Sequence, residues 1–166
     1  MKGFTPNEAL RIHDAEMLSE FIHGSQAQLV LVGPAGTAHC YRFARPRNVN
    51  DFPPDVRFVF AIHEDKKFYL GMLEEDKFRC TQNSRFDEDC DVVKGAKYIV
   101  KLSHNQNLLT WTAMKLYQSG KCARCGRPLN SEFGILHGFG KSCWRKHQLL
   151  REEEGHANAD LRSMPL

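Results

Sequence analysis

The chain has no long apolar run. None of its hydrophobic stretches approaches the ~20 residues that a membrane-spanning helix needs, and the first residues, 1–6, contain no apolar core of a secretion signal. These absences argue against a membrane partner and against export. We therefore expect a cytoplasmic protein whose cysteines stay reduced.

Motifs of the common enzyme classes are also absent. Residues 33–37 (G-P-A-G-T) follow an apolar stretch, but they lack the Gly-Lys-Ser/Thr ending of a phosphate-binding loop, and no helical pattern follows them. They predict a hairpin turn instead. No nucleophile and base stand at a recognisable spacing, and His13, Asp14 and His63 fit helix-surface and turn positions. We predict a protein that is not an enzyme; a site assembled from distant residues is the remaining alternative.

Acidic residues are scarce in one segment of the chain. Residues 115–151 carry eight Lys and Arg against one acid, Glu132, whereas residues 1–114 carry fourteen against fifteen and residues 152–166 carry one against four. The segment therefore has a net charge of +7, although the whole chain has +3. Such a cluster is the usual electrostatic signature of a surface that binds a phosphate backbone. The predicted nucleic-acid-binding residues are Lys121, Arg124, Arg127, Lys141, Arg145 and Lys146.

The same segment contains four residues at metal-ligand spacing. Cys122 and Cys125 form a C-x2-C pair, and Cys143 and His147 follow as C-x3-H. Three thiolates and one imidazole make a tetrahedral set for Zn²⁺, and four protein ligands close the site, which is typical of a structural metal. His137 is the alternative fourth ligand. The other cysteines, Cys40, Cys80 and Cys90, have no ligand spacing.

The length and hydrophobic pattern predict an α+β fold. With 166 residues and 42% hydrophobic side chains, the chain can bury a core. We expect a small antiparallel β-sheet with flanking helices and a C-terminal treble-clef-like zinc finger. The predicted organisation is a domain of helix plus β-meander at residues 1–114, a zinc-finger module at 115–151 and a polar tail at 152–166. The predicted helices are 5–23, 105–118 and 143–154, and the predicted strands are 28–32, 38–44, 56–63, 67–73, 77–81 and 96–102.

Aromatic and basic residues alternate in the predicted meander. Val56, Phe58, Phe60 and Ile62 share one face of a strand by alternation, so they are predicted to face the core. Aromatic side chains mixed with cations on a small sheet also stack single-stranded nucleic acid. The core interpretation is favoured because most aromatic side chains are buried.

Two stretches of the finger resemble the signature of an uncharacterised family. Residues 122–129 (C-A-R-C-G-R-P-L) and 138–143 (G-F-G-K-S-C) resemble its C-x2-C-G-R-x-L…G-x-G-x-x-C motif, and residues 68–71 (F-Y-L-G) resemble a weaker sheet motif. Such proteins occur in bacteriophages and bacterial mobile elements, so the resemblance, over residues 25–146, implies a phage-type origin and the host cytoplasm. It implies no settled activity. The chain departs from the motif in having Gly140-Lys141-Ser142 where the family places glycine and proline.

These observations predict a nucleic-acid-binding protein that uses a basic zinc finger, with single-stranded DNA as the expected partner or transcription as the modulated process. The alternative is a phage-encoded protein that binds a host protein, such as a polymerase, nuclease or defence factor, and inhibits or redirects it.

Overall fold

A six-stranded antiparallel sheet forms the centre of the fold, which is α+β as the sequence predicts. The computed structural model describes residues 5–163, and the side chains of residues 5–155. The strands are β1 Gln26–Val32, β2 Ala38–Ala44, β3 Arg57–His63, β4 Lys66–Glu74, β5 Lys77–Arg79 and β6 Lys115–Gln118. They lie in the order β5-β4-β3-β2-β1-β6. The helices are α1 Ala15–Ile22, α2 Asp91–Leu102, α3 Gln106–Trp111, α4 Glu132–His137 and α5 Lys141–Ser163, with short 3₁₀ turns at Glu8–Leu10 and Val49–Asp51.

Tight turns join the first five strands, apart from the longer β2–β3 connection. Between β1 and β2, Gly33 N donates to Thr37 O at 2.9 Å and Gly36 has φ +88°, which confirms the predicted hairpin turn. The β3–β4 turn at Glu64 and Asp65 has φ values of 50° and 62°, and the β4–β5 turn at residues 75 and 76 repeats them at 50° and 61°. Paired positive φ values are the mark of a type I′ hairpin turn, whose twist matches that of the strands.

One face of the sheet carries the hydrophobic core. Helices α1 and α2 pack on this face, and Tyr41 on β2 donates its hydroxyl to Val92 O at 2.6 Å. Burial raises the pKa of Tyr41. The residues of this core with essentially no exposure include Leu18, Phe21, Leu29, Phe43, Val59, Leu70, Leu73, Val93 and Ile99.

Two of the predicted elements are wrong. Residues 96–102 were expected to form an edge strand, but they belong to α2, whose buried Val93, Ala96 and Val100 fall on one helical stripe. The predicted helix 105–118 ends at Trp111, and β6 follows it. The cause is tertiary: the free edge of β1 takes up residues 115–118, with Leu31 opposite Leu116.

The N-terminal helix begins later than predicted. Residues 5–14 contain only a 3₁₀ turn, and α1 starts after Asp14, whose carboxylate accepts from Met17 N at 2.9 Å. Ile12 N donates to Leu116 O at 2.8 Å. Because this bond and the bridge between Arg11 and Tyr117 hold residues 11 and 12 against β6, no continuous helix runs from residue 5 into α1.

The face assignment of β3 is also wrong. Val59 and Ala61 enter the core, while Phe58, Phe60 and Ile62 lie partly exposed on the opposite side of the sheet. We call this side the open face. The core-facing position at the start of β3 is taken by Arg57, which is buried, so the alternation runs opposite to the apolar pattern.

Helix α5 runs through residue 151 into the predicted tail without a break. Glu154, on its fourth turn, is 5% exposed and lies 3.5 Å from the guanidinium of Arg57. Of the helices in the described part of the chain, none combines the length and the hydropathy needed to cross a membrane.

Candidate metal centre

Three cysteine sulfurs come together beside the sheet. The Sγ atoms of Cys122, Cys125 and Cys143 all lie within 4.8 Å of one another. The first two sit in a tight turn in which Gly126 N donates to Cys122 O at 2.9 Å and Cys122 N donates to Arg127 O at 2.8 Å. Gly126 has φ +77°, which a side chain would disfavour. The turn therefore aims both sulfurs to one side.

Helix α5 supplies the third sulfur. Cys143 stands in its first turn, and the chain reaches this point through Gly138, the left-handed residue that ends α4 at φ +77°. Gly138 O accepts from Ala123 N at 2.9 Å, which fixes the connection against the cysteine turn. A Cβ on Gly138 would lie 2.4 Å from the ring of Phe21, so glycine is required for both φ and space.

The surroundings shift the pKa values of Cys122 and Cys143 in opposite directions. Burial alone would raise the pKa of Cys122, but the backbone N–H groups of Cys125, Gly140 and Arg124 donate to its sulfur, and the pKa is lowered overall. Burial raises the pKa of Cys143, and the Arg124 guanidinium, 3.9 Å from that sulfur, opposes the increase.

The donor set fits a thiophilic metal ion. Sulfurs bound to one zinc ion at ~2.3 Å in a tetrahedron stand ~3.8 Å apart, a separation that the three sulfurs can reach with small adjustments. Three soft sulfur donors, one of them with backbone N–H groups directed at it, could therefore bind a metal ion.

Neither candidate histidine belongs to this group of sulfurs. The imidazole of His147 is buried, with Nε2 2.6 Å from Glu20 Oε2 and its ring stacked on Phe139 at a centroid distance of 4.5 Å. His137 donates Nδ1–H to Phe133 O at 3.0 Å and stacks on the Phe133 ring at 4.0 Å. In the residues that the structure describes, the 4.8 Å cluster contains the three cysteines alone.

Most of the predicted basic residues are exposed on the segment that carries the cysteines, residues 121–147, which we call the finger. Five are exposed, and in the described part of the chain no carboxylate lies within ion-pair distance of them; they are Lys121, Arg127, Lys141, Arg145 and Lys146. Arg124 is different, because its guanidinium turns toward Cys143. Positive charge is therefore concentrated on the surface of the finger, and the Arg124 guanidinium contacts the sulfur of Cys143.

Two residues outside the finger connect it to α1 and to the sheet, and no spacing in the sequence indicates them. Glu20 on α1 holds His147 and lies 3.8 Å from Arg151 Nε. Gln26 on β1 binds the cysteine turn twice, with its backbone N donating to Ala123 O at 2.8 Å and its side-chain amide donating to Arg124 O at 3.1 Å. The finger residues Cys122, Ala123, Phe139 and Cys143 belong to the same hydrophobic core as the sheet.

Comparison with known proteins gives no match to this chain, whether to a family model, a curated protein or a solved structure. The resemblance drawn from residues 122–129 and 138–143 therefore rests on the motif alone. What the chain itself shows is a three-cysteine group that could bind a metal, set in an α+β fold.

Proposed function

We propose that the protein binds nucleic acid without catalysing a reaction on it, using the exposed cations around the cysteine group to contact phosphates. The carrying observation is the set of five exposed Lys and Arg side chains of the finger, none of which has a carboxylate within ion-pair distance among the described residues. Cations that contact a phosphate backbone displace the counterions condensed on the nucleic acid, and the release of those counterions drives binding. The motif resemblance adds the proposal of a phage or mobile-element origin.

We infer that the metal is zinc and that its role is structural. Cys122, Cys125 and Cys143 would hold it, and His147 would complete the tetrahedron through Nδ1, because Glu20 occupies Nε2. A carboxylate on the distant ring nitrogen is the arrangement that metal-bound histidines commonly have, and it orients the ring. When bound, the ion would crosslink the cysteine turn to α5 and so fix the spacing of the surrounding cations.

The test is salt-dependent binding to oligonucleotides. Fluorescence anisotropy with single-stranded and duplex DNA at about 50 and about 200 mM salt should show affinity that falls steeply with salt. Arg127→Glu combined with Lys146→Glu should weaken binding and lower the log–log salt slope by about 0.7 for each lost single-strand contact. The matched control is Lys94→Glu with Lys101→Glu, which makes the same charge change on exposed positions of α2.

Equal affinities for the finger variant and the α2 control would contradict the proposal, as would wild-type protein that binds neither DNA form at the lower salt. A thermal melt of each variant checks that the fold is retained.

The second candidate, binding of a host protein, is favoured by one residue. Trp111, at the end of α3, is 84% exposed, and large aromatic side chains often dominate the energy of protein interfaces. Recovery of one partner in stoichiometric amount after nuclease treatment, by wild type but not by Trp111→Ala, would support it. Equal recovery by both would remove Trp111 as the reason.

A further inference from the structure

The open face of the sheet carries a cluster of partly exposed aromatic rings. Phe58 and Phe60 on β3 each meet Tyr69 on β4 edge to face, at centroid distances of 5.6 and 5.8 Å, and Phe52 meets Phe58 at 5.1 Å. None of these four residues is part of the hydrophobic core on the other side. Their rings therefore remain available to a ligand.

An irregularity in the strand pairing brings the aromatic rings onto one face. The register between β3 and β4 shifts between Val59, which lies opposite Gly71, and Phe60, which lies opposite Tyr69. The extra residue on β4 puts Tyr69 on the same side as Phe60 while Leu70 enters the core. A Cβ on Gly71 would lie 2.3 Å from Arg79 O, so β5 approaches β4 closely at this point.

Cations surround these rings. Lys67 places Nζ 5.0 Å from the centroid of Phe60. A hollow of about 440 Å³ beside Phe58 and Phe60 is lined by Arg42, Arg45, Arg47 and Lys67, and an adjoining hollow over Tyr69 is lined by Lys66, Lys67 and Arg85. No carboxylate is among the described residues that line either hollow. The face thus combines apolar ring surface with positive charge.

This surface is continuous with the finger. Gln26 donates to Arg124 O of the cysteine turn, and its Oε1 accepts from Arg42 Nη2 at 3.4 Å. Arg42 lies opposite Phe60 in the β2–β3 pairing. The cysteine turn and the aromatic rings are therefore linked through Gln26 and Arg42.

We propose that the open face binds a single-stranded nucleic acid by stacking its bases on Phe60, Tyr69 and Phe58, while Arg42, Lys67 and the adjacent arginines contact the phosphates. Rings with flanking cations are the complement of unpaired bases on a phosphate backbone, and a duplex hides its base faces. The inference rests on the proposed function, since it assigns to the sheet the discrimination between single strand and duplex.

The experiment compares ring removal at two surfaces. Phe60→Leu keeps apolar bulk but removes the stacking plane, Phe60→Tyr keeps the ring, and Trp111→Leu removes an exposed ring elsewhere. Affinity is measured for a single strand of about 12 nucleotides that contains 2-aminopurine, and for the corresponding duplex. This length lies within the range of site sizes that small β-folds occupy on single strands. Phe60→Leu should weaken single-strand binding at least about fivefold and diminish the fluorescence change on binding. Phe60→Tyr should restore both, and duplex affinity should stay the same.

The inference is overturned if Phe60→Leu and Trp111→Leu bind the single strand with equal affinity. It is also overturned if polyglutamate of matched charge displaces the labelled single strand as well as unlabelled DNA does. In that case, loss of binding in Arg127→Glu/Lys146→Glu would still uphold the finger as the nucleic-acid site. If wild type binds neither DNA form, the proposed function fails with it. Equal thermal melts of the Phe60 variants and wild type show that a loss of affinity is not a loss of fold.

Discussion

Arg57 shows how one charged residue can organise the core face. The residue is 2% exposed, and its guanidinium donates to the backbone oxygens of His23, Gly24, Pro54 and Val56 at 2.7–3.2 Å. Burial lowers its pKa, and the Glu154 carboxylate acts in the opposite direction. A single side chain thus ties the end of α1, the start of β3 and the distant helix α5 together.

Removing this side chain should be costly. Arg57→Met removes the donor to four buried carbonyl groups and leaves the buried Glu154 carboxylate with Arg151 alone, at 3.6 Å, so we expect a loss of about 3–5 kcal/mol in the free energy of unfolding. Glu154→Gln should cost clearly less, because the guanidinium keeps its four backbone acceptors and the amide oxygen can still accept. Urea unfolding followed by circular dichroism measures both. Equal losses for the two variants would show that the ion pair, and not the carbonyl network, carries the effect.

The members of the candidate site could be predicted from the sequence where they are brought together by local spacing. The cysteine turn and the first turn of α5 bring three of the four proposed ligands together, because C-x2-C and a following helix are local features. The partner of His147 was not predictable, since Glu20 is 127 positions away. The face of Phe58 and Phe60 was mispredicted because alternation tells which residues share a face, but not which face meets the helices.

At the scale of elements, the hairpins were predicted well and the segments between sheet and finger were not. Strand β2 has its predicted bounds, since its turn glycines are local signals. Residues 96–102 (A-K-Y-I-V-K-L) contain β-branched residues, which suggested a strand, but their apolar side chains also form a helical stripe. The helix that contains them begins at Asp91, directly after its N-cap Cys90, and packs on the sheet. Residues 115–118 become a strand only because β1 offers an unpaired edge, which depends on the tertiary fold and not on propensity.

At the scale of the whole molecule, the finger and the sheet share one core. Cys122, Ala123, Phe139 and Cys143 pack with α1 and the sheet, and Glu20 and Arg57 bind α5 at two points. Stabilisation by a metal that binds only the folded state is therefore distributed over the whole chain.

Metal removal should accordingly lower the stability of the entire protein. With a chelator, or with Cys125→Ser, we expect loss of bound zinc and a lower unfolding temperature in a single transition, because no separate module is left to melt alone. Cys125 is exposed, so its replacement makes no cavity, and Cys80→Ser is the matched control that should keep the metal. Metal analysis and calorimetry provide the measurements. Two separated transitions would contradict the shared core, and unchanged metal content in Cys125→Ser would contradict the site.

The turn at Glu64 and Asp65 marks one end of the open face. These acids follow Ile62, which lies opposite Cys40, whereas Arg42 and Arg45 stand toward the other end of β2. Along the strands, about six residues or ~20 Å separate the two ends. Lys66 and Lys67 begin β4 directly after the acids, so cations are present near both ends of the face. A single strand running the length of the face would meet positive side chains near both ends, and the two acids would mark where its path stops.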